Sequence, residues 1–156
     1  FGKKIDMPVF LSPAAMQRLY HHDGDKASAR AAEKFGTFYS MSTMANNTIE
    51  EIAEISNGPK LFQLYVHKDQ SITDDLIDRC KISSFDGMCL TVDTLVAGNR
   101  EKDHRTGFTT PPKLTLQSLM SFATHPEWVF NYFTHSKFEL SNVKNKTDKG
   151  TNIAKS

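Results

Sequence analysis

Asp93 and Arg100 are the residues whose types and spacing could do chemistry, and they close the run Leu90-Thr91-Val92-Asp93-Thr94-Leu95-Val96-Ala97-Gly98-Asn99-Arg100-Glu101. Met88, Leu90 and Val92 fall on one side of a period-2 element, and Cys89, Thr91 and Asp93 on the other. A hydroxyl and a carboxylate therefore share a face at the C-terminal end of a predicted buried strand. Capping of a following helix is the plain role for such an aspartate, because βα loops often finish on Asp, Ser or Thr. Arg100, seven residues on, points instead to a ligand. Its guanidinium suits an anionic group, and Gly98 frees the backbone to turn toward one.

The elements that must hold these groups alternate strand and helix. Met7-Pro8-Val9-Phe10-Leu11 predicts a first strand, stopped in the loop Ser12-Pro13-Ala14-Ala15-Met16-Gln17 by a proline that cannot donate to a ladder. Ala27, Ala31, Ala32 and Phe35 recur at helical spacing from Asp25, with Gly36 in the C′ position. Thr37 to Thr43 predicts a second strand. A second helix opens with a Thr48/Glu51 capping box, turns Ile49, Ile52, Ala53 and Ile55 inward and stops at Asn57-Gly58-Pro59. Leu61 to Val66 predicts a third strand. The third helix opens at Ser71 with Asp74 three residues on, carries Ile72, Leu76, Ile77 and Cys80 inward and closes near Phe85-Asp86-Gly87.

Strand starts near residues 9, 38, 62 and 88 lie roughly 25 residues apart, close to the ~31 per unit of an eight-unit βα barrel. Strict alternation implies a parallel sheet with right-handed crossovers. The second, third and fourth strands each end on an i, i+2 polar pair: Ser40 and Ser42, Gln63 and Tyr65, Thr91 and Asp93. In a βα barrel such side chains converge at the C-terminal mouth, where active sites lie. The plainer alternative is that polar residues mark where a strand leaves the core.

Beyond Arg100 the pattern changes. Glu101-Lys102-Asp103-His104-Arg105 predicts a solvated loop, and Thr109-Thr110-Pro111-Pro112 excludes regular helix. Leu114 to Phe133, rich in Leu, Met, Phe and Trp128 and broken at Pro126, predicts two short helices. Packing over the barrel mouth is the expected role; a membrane surface or another subunit are the alternatives. Residues 144–156, lysine-rich and without a period, predict a flexible polar tail after a domain spanning 1–143.

Composition narrows the classes. A chain of 156 residues with 38% apolar and 24% charged content has the composition of a globular domain with a core. A net charge of +1 argues against binding driven by a basic face, so nucleic acid is not expected as a partner. No apolar run reaches the length of a membrane span and no signal-peptide layout opens the chain, which predicts a cytoplasmic protein, with peripheral contact to the inner face of a membrane as a variant. Cys80 and Cys89 form no C-x-x-C pair and are expected as reduced, buried thiols. The six histidines show no zinc spacing, so no metal is expected.

Five collinear motifs carry a family resemblance. Ser12-Pro13-Ala14-Ala15-Met16-Gln17, His22-Asp23-Gly24-Asp25 with Ala29-Arg30-Ala31-Ala32, Phe62-Gln63-Leu64-Tyr65-Val66, Leu90-Thr91-Val92-Asp93-Thr94 and Gly98-Asn99-Arg100-Glu101 together resemble the FMN-dependent 2-hydroxy-acid dehydrogenases and oxidases. The likeness runs from about residue 5 to residue 143. Gly107 to Thr115, with His125-Pro126-Glu127-Trp128, is more similar to the L-lactate dehydrogenase branch than to glycolate oxidase.

The resemblance implies an α/β fold of the (β/α)8 TIM-barrel family, here its first four βα units with a helical loop after the fourth strand. It implies FMN as cofactor and a small 2-hydroxy acid, L-lactate first, as substrate. The electron acceptor would be a quinone, a cytochrome or oxygen, and the assembly a homo-oligomer. The backbone of Ala15 would face the flavin ring, and Ser42, Gln63 and Thr91 would bond its edge. Tyr65 would place its hydroxyl by the substrate's, Arg100 would hold the substrate carboxylate, and Asp93 would orient and charge-stabilise the catalytic histidine. The family's histidine-bearing Ser-Asn-His-Gly-Gly-Arg-Gln segment, its flavin-contacting lysine and its phosphate loops have no counterpart in these residues, and no G-x-G-x-x-G or P-loop replaces them. This chain is thus expected to act within a longer enzyme and to be inactive by itself. A non-catalytic half barrel that oligomerises or scaffolds through its sheet edges is the alternative.

Overall fold

β1 (Tyr39–Ser42), β2 (Lys60–Tyr65) and β3 (Gly87–Thr91) pair in parallel and in sequence order. They do so in a computed structural model that describes residues 1–93, 99–107, 115–136 and 138–143. The register sets Ser42 opposite Gln63 and Tyr65 opposite Thr91. α1 (Asp25–Lys34), α2 (Ile49–Ile55) and α3 (Gln70–Ile82) supply the crossovers. Their apolar faces meet Tyr39, Met41, Phe62 and Leu64 in one core with Ala29, Ala32, Ile49, Ile52, Ile72 and Leu76. The chain divides into two compact units, Phe1–Thr91 with the chain from Phe138 on, and Val92–Lys137.

Local signals set most of these boundaries. α2 begins at the expected box: Glu51 N donates to Thr48 Oγ1 at 3.1 Å and Thr48 N to Glu51 Oε2 at 2.9 Å. α1 ends with Gly36 at φ 63°, Gly36 N bonding Glu33 O and Thr37 N bonding Ala32 O. This is the paired-bond ending that favours glycine. α3 ends the same way, Ser84 N bonding Lys81 O and Phe85 N bonding Cys80 O, but with Ser84 at φ 55° in the glycine position.

Within the first unit four expectations are corrected. The first strand is reduced to a bridge between Leu11 and Tyr39. Pro8 has no N–H, Val9 N is taken by Met7 O at 2.8 Å, and only Leu11 N reaches the sheet side, at Phe38 O. Asp69, not Ser71, caps α3, its carboxylate accepting from Ser71 N at 3.0 Å. β3 is not buried: Leu90 is 55% exposed, because β3 has a strand neighbour on one side only among the described residues. Cys89, on that strand, is exposed with it, whereas Cys80 is buried; both are free thiols.

The second unit holds α4 (Glu101–Thr106), α5 (Leu116–Ala123) and α6 (Pro126–Thr134). The charge cluster expected as a loop is therefore α4. Arg105 pairs with Glu101 at 3.2 Å in the i, i+4 order that supports a helix, and Gly107 closes it at φ 68°. Pro126 opens α6 rather than merely interrupting, as its fixed φ allows. Phe122, Trp128 and Tyr132 stack in series across α5 and α6. The Thr109–Pro112 loop and the 144–156 tail lie outside the described residues.

Candidate active site

The parallel register lines up three side chains at the C-terminal ends of the strands. Ser42 Oγ donates to Gln63 Oε1 at 3.2 Å, and Gln63 Nε2 donates to Thr91 Oγ1 at 2.6 Å. One neutral polar row thus crosses all three strands. Ser42 and Gln63 are buried, and Thr91 and Tyr65 are half-buried at the row's open end. Thr43 stiffens the same level: its hydroxyl donates to Gln63 O at 2.6 Å and accepts from Tyr65 N at 3.1 Å. Ser42 Oγ also accepts from Met44 N at 3.1 Å, which fixes the serine rotamer against its own loop.

Ala15 lies exposed in the loop before the single-turn helix Gln17–Leu19. Met16, at φ 57°, turns that loop, and Met16 N donates to Met44 O at 3.2 Å. The loop bearing Ala15 and the loop following Ser42 are therefore joined directly. Ala15, Ser42, Gln63, Tyr65 and Thr91 all belong to the first unit, and Ser42, Gln63 and Thr91 are in hydrogen-bond contact.

Asp93 and Arg100 belong to the second unit and are both exposed. Thr91 ends β3, so Asp93 follows the strand instead of extending its face. The Arg100 carbonyl starts α4, accepting from Asp103 N at 3.0 Å and His104 N at 3.3 Å. Gly98 lies outside the described residues.

Among the described residues, His21, His22 and Asp23 bring three ligand-type atoms within 4.8 Å of one another. Asp23 is already paired with Arg30, and Asp23 N occupies His21 Nδ1 at 3.2 Å. These contacts make the group a closed turn before α1.

Sequence reasoning passes over the acids and amides that lie beneath this level. Asp25 is fully buried under both loops, and Asn142 binds three separate elements. Their partners stand 8 to 95 residues away in the chain, which no local pattern announces.

Neutral hydroxyl and amide groups in a row suit the pyrimidine edge of a flavin, which alternates carbonyl oxygens with a ring N–H. The donor set present fits that group. Parallel βα units with a polar row at the strands' C-terminal ends define the class, part of a (β/α)8 barrel of flavoenzyme type. A family model described as FMN-dependent dehydrogenase matches residues 1–155, and the chain belongs to that family. Glycolate oxidase 1 of Oryza sativa subsp. indica is 43% identical over 117 residues, which is 75% of this chain and 32% of the relative. L-lactate oxidase of Nostoc sp. is 39% identical over 126 residues, 78% of this chain and 34% of the relative. The crystal structure of the monotopic membrane protein (S)-mandelate dehydrogenase matches with a TM-score of 0.84 at 31% identity, over 90% of this chain and 38% of that one. The chain spans about a third of the length of the curated relatives it matches.

Proposed function

We propose that this chain forms the first βα units of an enzyme that oxidises an L-2-hydroxy acid, L-lactate first, to the 2-oxo acid with FMN as cofactor. The Ser42–Gln63–Thr91 row carries the proposal, since it supplies a flavin edge with bonding partners: Ser42 and Gln63 are register partners, and Gln63 reaches Thr91 on the diagonal. FMN, held by these residues, would supply a two-electron acceptor for the hydroxy-acid oxidation, with a quinone, a cytochrome or oxygen as the final acceptor.

The chain's own residues bind and orient. Arg100 holds the substrate carboxylate by a bidentate, charge-assisted pair, and Tyr65 holds the substrate hydroxyl. The Ala15 backbone would face the flavin ring. Asp93 orients the histidine base and stabilises it once protonated; under this proposal that base comes from outside these 156 residues.

The test is a flavin spectrum of the whole enzyme followed by anaerobic addition of L-lactate. Stoichiometric bound FMN that bleaches supports the proposal. A protein that never retains flavin overturns it in favour of a scaffold role. Arg100→Lys is expected to lower kcat/KM by about 2–3 kcal/mol, as a lost charge-assisted contact does; an unchanged value removes Arg100 from the substrate.

The exposed apolar side chains of α5 and α6 favour a second element of function, peripheral contact with a membrane. Leu116 is 80% exposed, Met120 70% and Phe133 79%, and Tyr132 packs edge-on against Phe133. No helix among the described residues is long and apolar enough to cross a membrane. Co-sedimentation with anionic vesicles tests this; loss of binding in a Leu116→Ser, Met120→Ser, Phe133→Ser variant is the expected result.

A further inference from the structure

Asp25 is the first residue of α1 and is wholly buried. Its Oδ1 accepts from Gln17 Nε2 and from Tyr39 Oη, both at 3.1 Å. Its Oδ2 accepts from Asn46 N at 2.9 Å and Asn47 N at 3.3 Å. These four donors are neutral. They match the lone-pair sites of an ionised carboxylate, and the N-terminal end of a ten-residue helix adds a favourable dipole. Burial holds the carboxyl above its ordinary value, although the Asn46 and Asn47 amides and the Tyr39 hydroxyl pull it down in part. Burial and the neighbouring Asp25 charge hold Tyr39 well above its ordinary value, so its hydroxyl stays protonated and donating.

The donors come from two loops. Gln17 belongs to the loop that carries Ala15, and its amide is oriented by Ser28 Oγ at 2.6 Å and by Ala14 O at 3.4 Å. Asn46 and Asn47 belong to the loop that follows Ser42, and Asn46 Oδ1 accepts from Arg18 N at 3.0 Å. Tyr39 stands on β1 itself, three residues before Ser42. One carboxylate therefore ties together the two loops and the strand on which the Ala15 and Ser42 contacts depend.

We infer that Asp25 is a positioning residue: it holds the Ala15 loop and the Ser42 loop in register so that both meet the flavin, without touching the flavin itself. The inference rests on the flavin site proposed above. An unpaired carboxylate costs several kcal/mol to bury, and core packing does not need one here. The four donors instead make the group a second joint between loops whose backbones already meet at Met16 N and Met44 O. Asp25→Asn keeps the shape but turns one acceptor into an NH2 that faces donors at one end of the joint.

The experiment compares four forms of the whole enzyme: wild type, Asp25→Asn, Gln63→Met, and the core variant Ile52→Val, which serves as a stability control. FMN dissociation constants are measured by fluorescence, and amide hydrogen exchange of the flavin-free protein is measured over residues 14–18 and 44–47. Asp25→Asn is expected to weaken FMN about tenfold, the size of one lost charge-assisted hydrogen bond, beyond any loss seen in Ile52→Val. Exchange should rise in both loops together while the sheet stays protected. If Gln63→Met weakens FMN but Asp25→Asn matches Ile52→Val, the positioning role is wrong and the flavin site stands. If Gln63→Met also leaves FMN binding unchanged, the flavin site itself is misplaced and the inference falls with it. Should Asp25→Asn not fold, Gln17→Met cuts the same tether on the Ala15 side. Weaker FMN with faster exchange at 14–18 supports the joint, and values equal to the control overturn it.

Discussion

β1 and β3 stand one strand apart in the same sheet and have opposite surroundings. Every residue of β1 is buried, with α1 and α2 among its core neighbours, whereas Met88 and Leu90 of β3 stand exposed. Both strands have apolar alternation, so alternation alone does not decide burial. What decides it is a partner on each flank and face. The β1 side has found its partners within the first unit, and each buried polar group of the row there is matched by another. β3 carries Met88 and Leu90 exposed. Its C-terminal end still supplies Thr91 to the polar row, so site geometry and core burial are separable properties here.

The sharpest way to break this contrast is a pair of truncations in the 156-residue polypeptide. Met41→Ala, at a fully buried side chain of β1, should cost about 2–5 kcal/mol by urea unfolding, and Leu90→Ala under about 1 kcal/mol. Equal costs would mean that β3 is as buried as its alternation suggests.

A smaller effect tests how the closed side is tied down. The Asn142 side chain accepts from Ile49 N at 3.1 Å and Arg79 Nη2 at 3.2 Å, and donates to Asn47 O at 3.0 Å. Asn142→Ala should cost about 2–3 kcal/mol, since it strands buried partners. Arg79 also holds Glu50 in a two-armed pair, and that hydrogen bond lowers the Glu50 carboxyl to about 2. A depressed carboxyl stabilises the fold above the ordinary value of 4.5 and loses that contribution as pH falls toward 2. Stability should therefore drop between those pH values in the wild type, and Arg79→Ala should flatten the drop. An unchanged acid limb would remove the pair from the account.

The smallest effect compares two helix ends of one design. Ser84→Gly should stabilise by about 0.5 kcal/mol, by relieving a left-handed serine. Gly36→Ala should destabilise by more than that, because its Cβ would come within 2.8 Å of Asp6 side-chain atoms at φ 63°. Thermal melts of the two variants check the opposite signs.

Elements that rest on near neighbours in the chain are legible in the sequence alone. The Thr48/Glu51 box, Gly36 after α1 and the break at Pro126 each depend on residues within a few positions. The α3 cap is ambiguous at that level because Asp69 and Ser71 are both capping types two residues apart, and geometry alone chooses Asp69. The i, i+2 pairs of the first two paired strands hold, since parity on a strand is local. The third is split because β3 stops at Thr91. The link from Ser42 through Gln63 to Thr91 needs the register, and the Asp25 joint needs contacts across 8 to 22 residues. Neither is written in any window of the sequence.

The central claim is that the Ser42–Gln63–Thr91 row receives the flavin. FMN titration of the whole enzyme against its Gln63→Met variant tests it most directly. The account predicts a dissociation constant raised about tenfold to a hundredfold, the loss of one or two buried hydrogen bonds, with the flavin absorption band shifted. Identical affinity and an identical spectrum in the two proteins would contradict it.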